Sequence, residues 1–168
     1  MTGQTDFDEL GSSNMMWSFQ ESESCPSKPQ NDRCPEATVV DELPYEVEGN
    51  NQLASSLGPS AADVCYYASQ SQLTTWWEIS PNSTASCLSA EVEFASNSYG
   101  VLAVYSGLSC RNLFCVGQWS SERPRVSWKA EPDAPYYLMV AVDEYSSWSD
   151  YSLKILVRCL GSSSAFLD

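Results

Sequence analysis

The sequence predicts an all-β domain: a two-sheet antiparallel β-sandwich, jelly-roll-like, of about eight strands and stapled by disulfides. Three observations lead there. The chain holds six Trp and nine Tyr in 168 residues, and aromatic side chains fit a pleated, half-buried surface. From residue 31 onwards short apolar runs alternate with turn signals, and the Ala/Leu/Glu/Lys mixture of a helical bundle is missing. Seven cysteines are scattered with no C-x-x-C pair, and the chain has no histidine. A zinc site would need such ligands at short spacings, so the cysteines read as disulfides formed in an oxidising compartment.

The elements follow in order. Residues 1–30 are polar, acidic and Ser-rich, apart from an apolar island at Met15, Met16, Trp17 and Phe19. They form a tail or linker, because so little apolar surface cannot offset the entropy of ordering it. The sandwich spans residues 31–160, and residues 161–168 are a C-terminal tail. Residues 37–40 and 45–48 flank Pro44 and read as two short pieces or an edge strand. Residues 50–62 are loop; residues 73–79, with Trp76 and Trp77, are a strand. Residues 88–94 give the clearest strand: Leu88, Ala90, Val92 and Phe94 fall on one face, and Ser89, Glu91 and Glu93 on the other. That alternation puts one face on a core and the other in water.

Residues 101–105 are a nearly continuous apolar run suited to a buried strand, and Gly107 breaks it. Residues 113–116, 125–130, 136–142 and 151–158 are further strands, separated by turns at 120–124, 131–135 and 143–150. No amphipathic helix stands out. In the adjacent pairs Trp76/Trp77 and Tyr136/Tyr137, one member of each is expected to face outward.

The net charge of −14 repels nucleic acid and anionic bilayers at long range. No segment approaches the roughly 20 apolar residues that span a membrane, so no membrane insertion is expected. Catalysis is not expected either. Without histidine neither a Ser-His-Asp nor a Cys-His arrangement can be built, and no Gly-rich phosphate loop is present. Residues 1–10 are acidic and polar, unlike a signal peptide. An extracellular or cell-surface placement then implies a fragment or a processed form.

The local patterns, taken in order, resemble a known family. Asn31-Asp32-Arg33-Cys34-Pro35-Glu36-Ala37 resembles an N-D-x-C-x-x-A opening, and Thr75-Trp76-Trp77-Glu78-Ile79 a "vWY-f" strand. The run from Gly100 to Gly107 is similar to an "L-x-V-Y-x-G" strand and leads into a C-x₃₋₄-C-V step at Cys110, Cys115 and Val116. Pro135-Tyr136-Tyr137-Leu138-Met139-Val140 resembles "tYYi-V", and Tyr151-Ser152-Leu153-Lys154-Ile155 the closing "G-Y-x-L-x-V" strand. Over residues 31–158 the chain resembles the bacterial pre-peptidase C-terminal domain and its eukaryotic relatives, a secreted jelly-roll-like sandwich often appended to proteases and surface proteins. It departs from them at Ser98-Tyr99-Gly100 and Gln118-Trp119-Ser120, where relatives often carry carboxylates, and at Ser149-Asp150, where they carry glycine.

The resemblance implies that Cys34 pairs with Cys65 and that Cys110 pairs with Cys115 across a short loop. It leaves Cys25, Cys87 and Cys159 unplaced. A bridge between Cys25 and Cys159 would join the two ends of the sandwich, and the odd cysteine of the seven is available for an intermolecular disulfide.

The expected function is a non-catalytic binding or adhesion module whose partner is a polysaccharide or an extracellular protein. Its contacts are the loop aromatics Trp119, Tyr145 and Trp148, because rigid sandwiches carry recognition on loops and exposed aromatics stack on sugars and peptides. No cofactor is required. Calcium, which prefers several oxygen ligands, would bind at Asp143, Glu144 and Asp150. Asn82-Ser83-Thr84 is a glycosylation sequon. The same pattern also suits a structural spacer or assembly domain with no ligand of its own, or a modulatory appendage of a secreted protease.

Overall fold

A computed structural model describes residues 27–56, 65–69, 71–80, 87–95, 98–132, 134–142 and 149–157. Within them a 3-10 turn at Cys34–Glu36 opens the domain, followed by β1 (Thr38–Val40), β2 (Tyr45–Asn50), the short helix α1 (Tyr66–Ser69) and β3 (Gln72–Ile79). Then come β4 (Cys87–Phe94), β5 (Gly100–Ser106), β6 (Phe114–Ser121), β7 (Arg125–Lys129), β8 (Tyr136–Val142) and β9 (Asp150–Val157). The nine described strands form a five-stranded sheet of order β1-β3-β8-β5-β6 and a four-stranded sheet of order β2-β9-β4-β7. The all-β sandwich is therefore as expected. One pairing breaks the antiparallel rule: β1 runs parallel to β3.

The apolar alternation builds the core. Leu88, Ala90, Val92 and Phe94 of β4 and Tyr151, Leu153 and Ile155 of β9 face Trp77, Leu102, Val104, Leu138 and Val140 of the larger sheet. Burying each large side chain stabilises the fold by about 1.5–3 kcal/mol. β8 is buried at all seven positions. It lies in the middle of its sheet with both faces covered, which is why its sequence is a continuous apolar run.

The second cover corrects one expectation. Trp76 and Tyr137 do point away from the sandwich core, but they are buried too. They join Cys34, Cys65, Ala68, Ala103, Tyr105, Leu113, Met139 and Ala141 in a second apolar cluster on the outer face of the larger sheet. The 3-10 turn and α1 lie over that face, so neither aromatic pair presents a ring to water.

The opening motif fastens this cover. Asn31 Nδ2 donates to Trp76 O at 3.0 Å, and Trp76 N donates to Asn31 O at 2.9 Å. Asp32 is fully buried; its carboxylate accepts from Ser55 N, and from Ser55 Oγ at 2.7 Å. Lys28 Nζ lies 2.6 Å from it. The disulfides complete the clamp. Cys34 bonds Cys110 and Cys65 bonds Cys115, not Cys34 with Cys65 or Cys110 with Cys115. The cause is the register of β6: Cys115 stands opposite Tyr105, on the outer face beneath the start of α1, where Cys65 meets it with a Cα separation of 5.3 Å. Cys110, in the β5–β6 connection, meets the 3-10 turn at a Cα separation of 5.8 Å. Cys25 and Cys159 lie outside the described residues.

Candidate binding surface on the β6 edge

β6 is the edge strand of the larger sheet and pairs with β5. It carries no charged residue, and three of its apolar side chains are exposed: Phe114 (57%), Val116 (39%) and Trp119 (57%). Charged residues usually protect an edge strand, so an uncharged edge with exposed aromatics is a candidate for contact.

Phe114 and Trp119 are five residues apart, and in a regular strand an odd separation would put them on opposite faces. The register slips between Val104 and Tyr105, however: Val104 stands opposite Gly117 and Tyr105 opposite Cys115. The bulge restores the match. Trp119 stands opposite Leu102 and Phe114 opposite Ser106, so both point to the side of the strand that carries the sandwich core. A bulge commonly re-aims a side chain in this way. Gly117, between them, admits Val126 of β7, since a Cβ there would come within 2.9 Å of a Val126 methyl.

On the other side of the strand, Gln118 stands opposite Ala103 and its Oε1 accepts from Tyr67 N at 2.8 Å. The Cys65–Cys115 bridge holds the same helix. Tyr66 (64% exposed) and Tyr67 (46% exposed) meet edge to face with ring centroids 5.5 Å apart. The uncharged edge is thus flanked by Phe114 and Trp119 on one side and by a tyrosine pair on the other. A disulfide and a hydrogen bond fix the helix that carries the pair.

Trp119 is therefore exposed, as expected, though on a strand and not in a loop. Tyr145 and Trp148 lie outside the described residues, as do Asp143, Glu144 and the sequon at Asn82. Asp150 opens β9, where its Oδ1 accepts from Asn50 Nδ2. Among the described residues no three His, Cys, Asp or Glu side chains cluster as a metal site would require. Sequence reasoning missed Phe114, Tyr66 and Tyr67. The absence of charge along residues 112–121 apart from the loop before them was the signal available for the first. Nothing local marked the two tyrosines as exposed.

No described protein family matches the chain, and no curated protein does. Solved structures are similar in shape. The pre-peptidase C-terminal domain of a collagenase from Bacillus anthracis is 16% identical, with a TM-score of 0.47, over 77% of this chain and 99% of that one. CorA, a surface-associated copper-binding protein of Methylomicrobium album BG8, is 6% identical, with a TM-score of 0.49, over 73% and 98%. PliG of Aeromonas hydrophila, a periplasmic inhibitor of g-type lysozyme, is 10% identical, with a TM-score of 0.46, over 73% and 96%. The first of these is a domain of the type that the sequence motifs resemble.

Proposed function

We propose that this chain is a non-catalytic extracellular binding module whose ligand is an extended polymer, a polysaccharide or an extended protein chain, laid along β6. One observation carries the reading: the bulge in β6 turns Phe114 and Trp119 to the same side of an uncharged edge strand. Such an edge offers aromatic faces for stacking and unpaired backbone groups for hydrogen bonds. The surface is preorganised, because β6 is tied to α1 through Cys65–Cys115 and Gln118, and preorganisation lowers the entropic cost of binding. Two long-range disulfides fit an oxidising compartment. Tyr145, Trp148 and a calcium contribution from Asp143, Glu144 and Asp150 remain part of the proposal on sequence grounds alone.

The test is a pull-down of the oxidised protein on cellulose, chitin, cell-wall material and collagen, each with calcium and with chelator. Retention on one polymer is expected. Trp119→Ala and Phe114→Ala should each weaken it at least about tenfold, as removal of an aromatic anchor does. Retention unchanged in the double variant would remove β6 as the site, and retention on no polymer would remove the reading.

A further inference from the structure

The outer face of the four-stranded sheet carries a row of charges that alternates in sign and is open at both ends. Across β2-β9-β4-β7 the register sets Glu46 opposite Lys154, Lys154 opposite Glu91, and Glu91 opposite Arg125. Lys154 Nζ lies 2.7 Å from Glu46 Oε1, and Arg125 Nη2 lies 3.5 Å from Glu91 Oε2. Two residues along, a second row runs Glu48, Ser152, Glu93 and ends on Arg123, which pairs with Glu93. Both rows begin with a glutamate on β2; the first ends with Arg125 on β7 and the second with Arg123 in the turn just before it. These two strands are the edges of the sheet.

The backbone polarity matches the charges. Val92 N donates to Pro124 O. In an antiparallel ladder the residues that face a given neighbour alternate along the strand. The amides of Val126 and Trp128 therefore face β4, and those of Arg125 and Ser127 face the free edge. Carrying the alternation across β4 and β9 turns Tyr45 and Val47 towards β9, and Glu46 and Glu48 towards the opposite free edge. So Glu46, Glu48 and Arg125 are also residues whose N–H and C=O groups no strand pairs among the described residues, while Arg123 N donates to Ser121 Oγ at 3.1 Å. Successive strands of this four-stranded sheet are all antiparallel, so β2 and β7 run in opposite directions. A second molecule in the same orientation sets its β2 antiparallel to β7 of the first.

We infer that the four-stranded sheet is an assembly surface for a second copy of this chain, β2 of one copy adding to β7 of the next with Glu46 opposite Arg125 and Glu48 beside Arg123. Like edges are excluded, since two β2 edges bring glutamates together and two β7 edges bring arginines together, and directly opposed like charges destabilise a strand pair. The contact is heterologous, and such contacts give rings or open filaments. The net charge of −14 opposes association at long range, but at about 0.15 M ionic strength that repulsion is screened beyond about 8 Å, whereas the edge pairs form at contact. The β7 edge lies beside β6, where Gly117 admits Val126, but the inference does not rest on a polymer binding β6.

The test is sedimentation velocity of the full oxidised chain over about three decades of concentration, at about 0.15 M salt. Concentration-dependent association is expected for the natural sequence. The double variant R123E/R125E has two acidic edges and the double variant E46K/E48K two basic ones. Each alone should lose association at least about tenfold, and an equimolar mixture of the two should regain it. Ser127→Pro removes a donor at the free edge without touching the pairing to β4, so it should weaken association with no change of charge. Circular dichroism confirms that each variant is folded. A natural chain that stays monomeric throughout would overturn the inference. Association that survives the charge reversals, or a mixture that fails to recover it, would do the same.

Discussion

The hydroxyl groups of Thr75 and Tyr151 meet 2.7 Å apart inside the sandwich, joining β3 of one sheet to β9 of the other. Thr75 Oγ1 can also donate to Val140 O at 3.3 Å, and either hydroxyl of the pair can donate to the other. The ring of Tyr151 packs near Trp77 and Phe94, with centroids 6.0 and 5.9 Å away. Two truncations should therefore differ. Tyr151→Phe keeps the rings in place and leaves Thr75 bonded to Val140, at a cost of about 0.5–1.5 kcal/mol. Thr75→Val strands a buried tyrosine hydroxyl, at about 1–3 kcal/mol. Denaturant unfolding of the two variants should rank them in that order; the reverse ranking would show that the shared hydroxyl pair is not the link between the sheets.

Buried tyrosines also set the response to alkali. Burial raises the phenol of Tyr151 above its ordinary 10.0, outweighing the lowering effect of its Thr75 bond. Burial raises Tyr105 as well, whose hydroxyl has no hydrogen-bond partner among the described residues. A raised folded-state value means that the unfolded chain releases its proton first. These groups favour the fold fully below about pH 10 and progressively less above it. Ultraviolet titration should show two phenols that ionise only as the protein unfolds, and Tyr105→Phe should shift alkaline unfolding to higher pH.

The strand pattern was legible because period-2 alternation is local: Leu88 to Phe94 declare their faces without reference to any other segment. The outer cover was not. Trp76 beside Trp77, and Tyr136 beside Tyr137, imply that one ring of each pair leaves the core. Whether it reaches water depends on the 3-10 turn and α1, which come from other parts of the chain. The same reason explains the disulfide errors. Cys110 and Cys115 are close in sequence, but the bulge at Val116 and the register against Tyr105 decide which way Cys115 points. The β6 edge was half visible: Trp119 was singled out as an exposed aromatic, but its companionship with Phe114 needs a one-residue slip that no local pattern reveals. The charge rows of the smaller sheet are likewise a product of register, since Glu46, Glu91, Arg125 and Lys154 come from four separate strands.

Asp32 is the fold's acid-sensitive point. Burial alone would raise its carboxyl, but bonds from Lys28, Ser55 N and Ser55 Oγ, with the charge of Lys28, outweigh that and hold it below its ordinary 3.8. The unfolded chain then takes up the proton at higher pH than the folded one. The stabilisation is complete well above pH 3.8 and is lost as pH falls through the folded value. Asp32→Asn removes the charge from these bonds and should cost about 1.5–3 kcal/mol near neutral pH. It should also flatten the acid limb of the stability curve below pH 3.8. An acid limb as steep as that of the natural chain would place the sensitive carboxylate elsewhere.

The pairing of Cys65 with Cys115 makes a prediction that links fold to site. Its sequence separation is 50 residues, and that of Cys34–Cys110 is 76. In the chain-entropy picture a loop of that length is worth about 4 kcal/mol, against about 2 kcal/mol for a bridge between neighbours such as Cys110 and Cys115. Peptide mapping of the oxidised protein should recover Cys34 with Cys110 and Cys65 with Cys115. The double variant C65S/C115S should unfold more easily by about 2–4 kcal/mol yet keep its sandwich, because the core-facing sides of β4, β8 and β9 do not depend on α1. What it should lose is the covalent anchor of Tyr66 and Tyr67, leaving the bond from Tyr67 N to Gln118 and the packing of Ala68 in the outer cluster to hold the helix. The near-ultraviolet signal of the tyrosines should weaken while the far-ultraviolet β signal stays, and polymer retention should fall although Phe114 and Trp119 are untouched. Full retention in that variant would confine binding to the strand itself and leave the tyrosine pair outside the site.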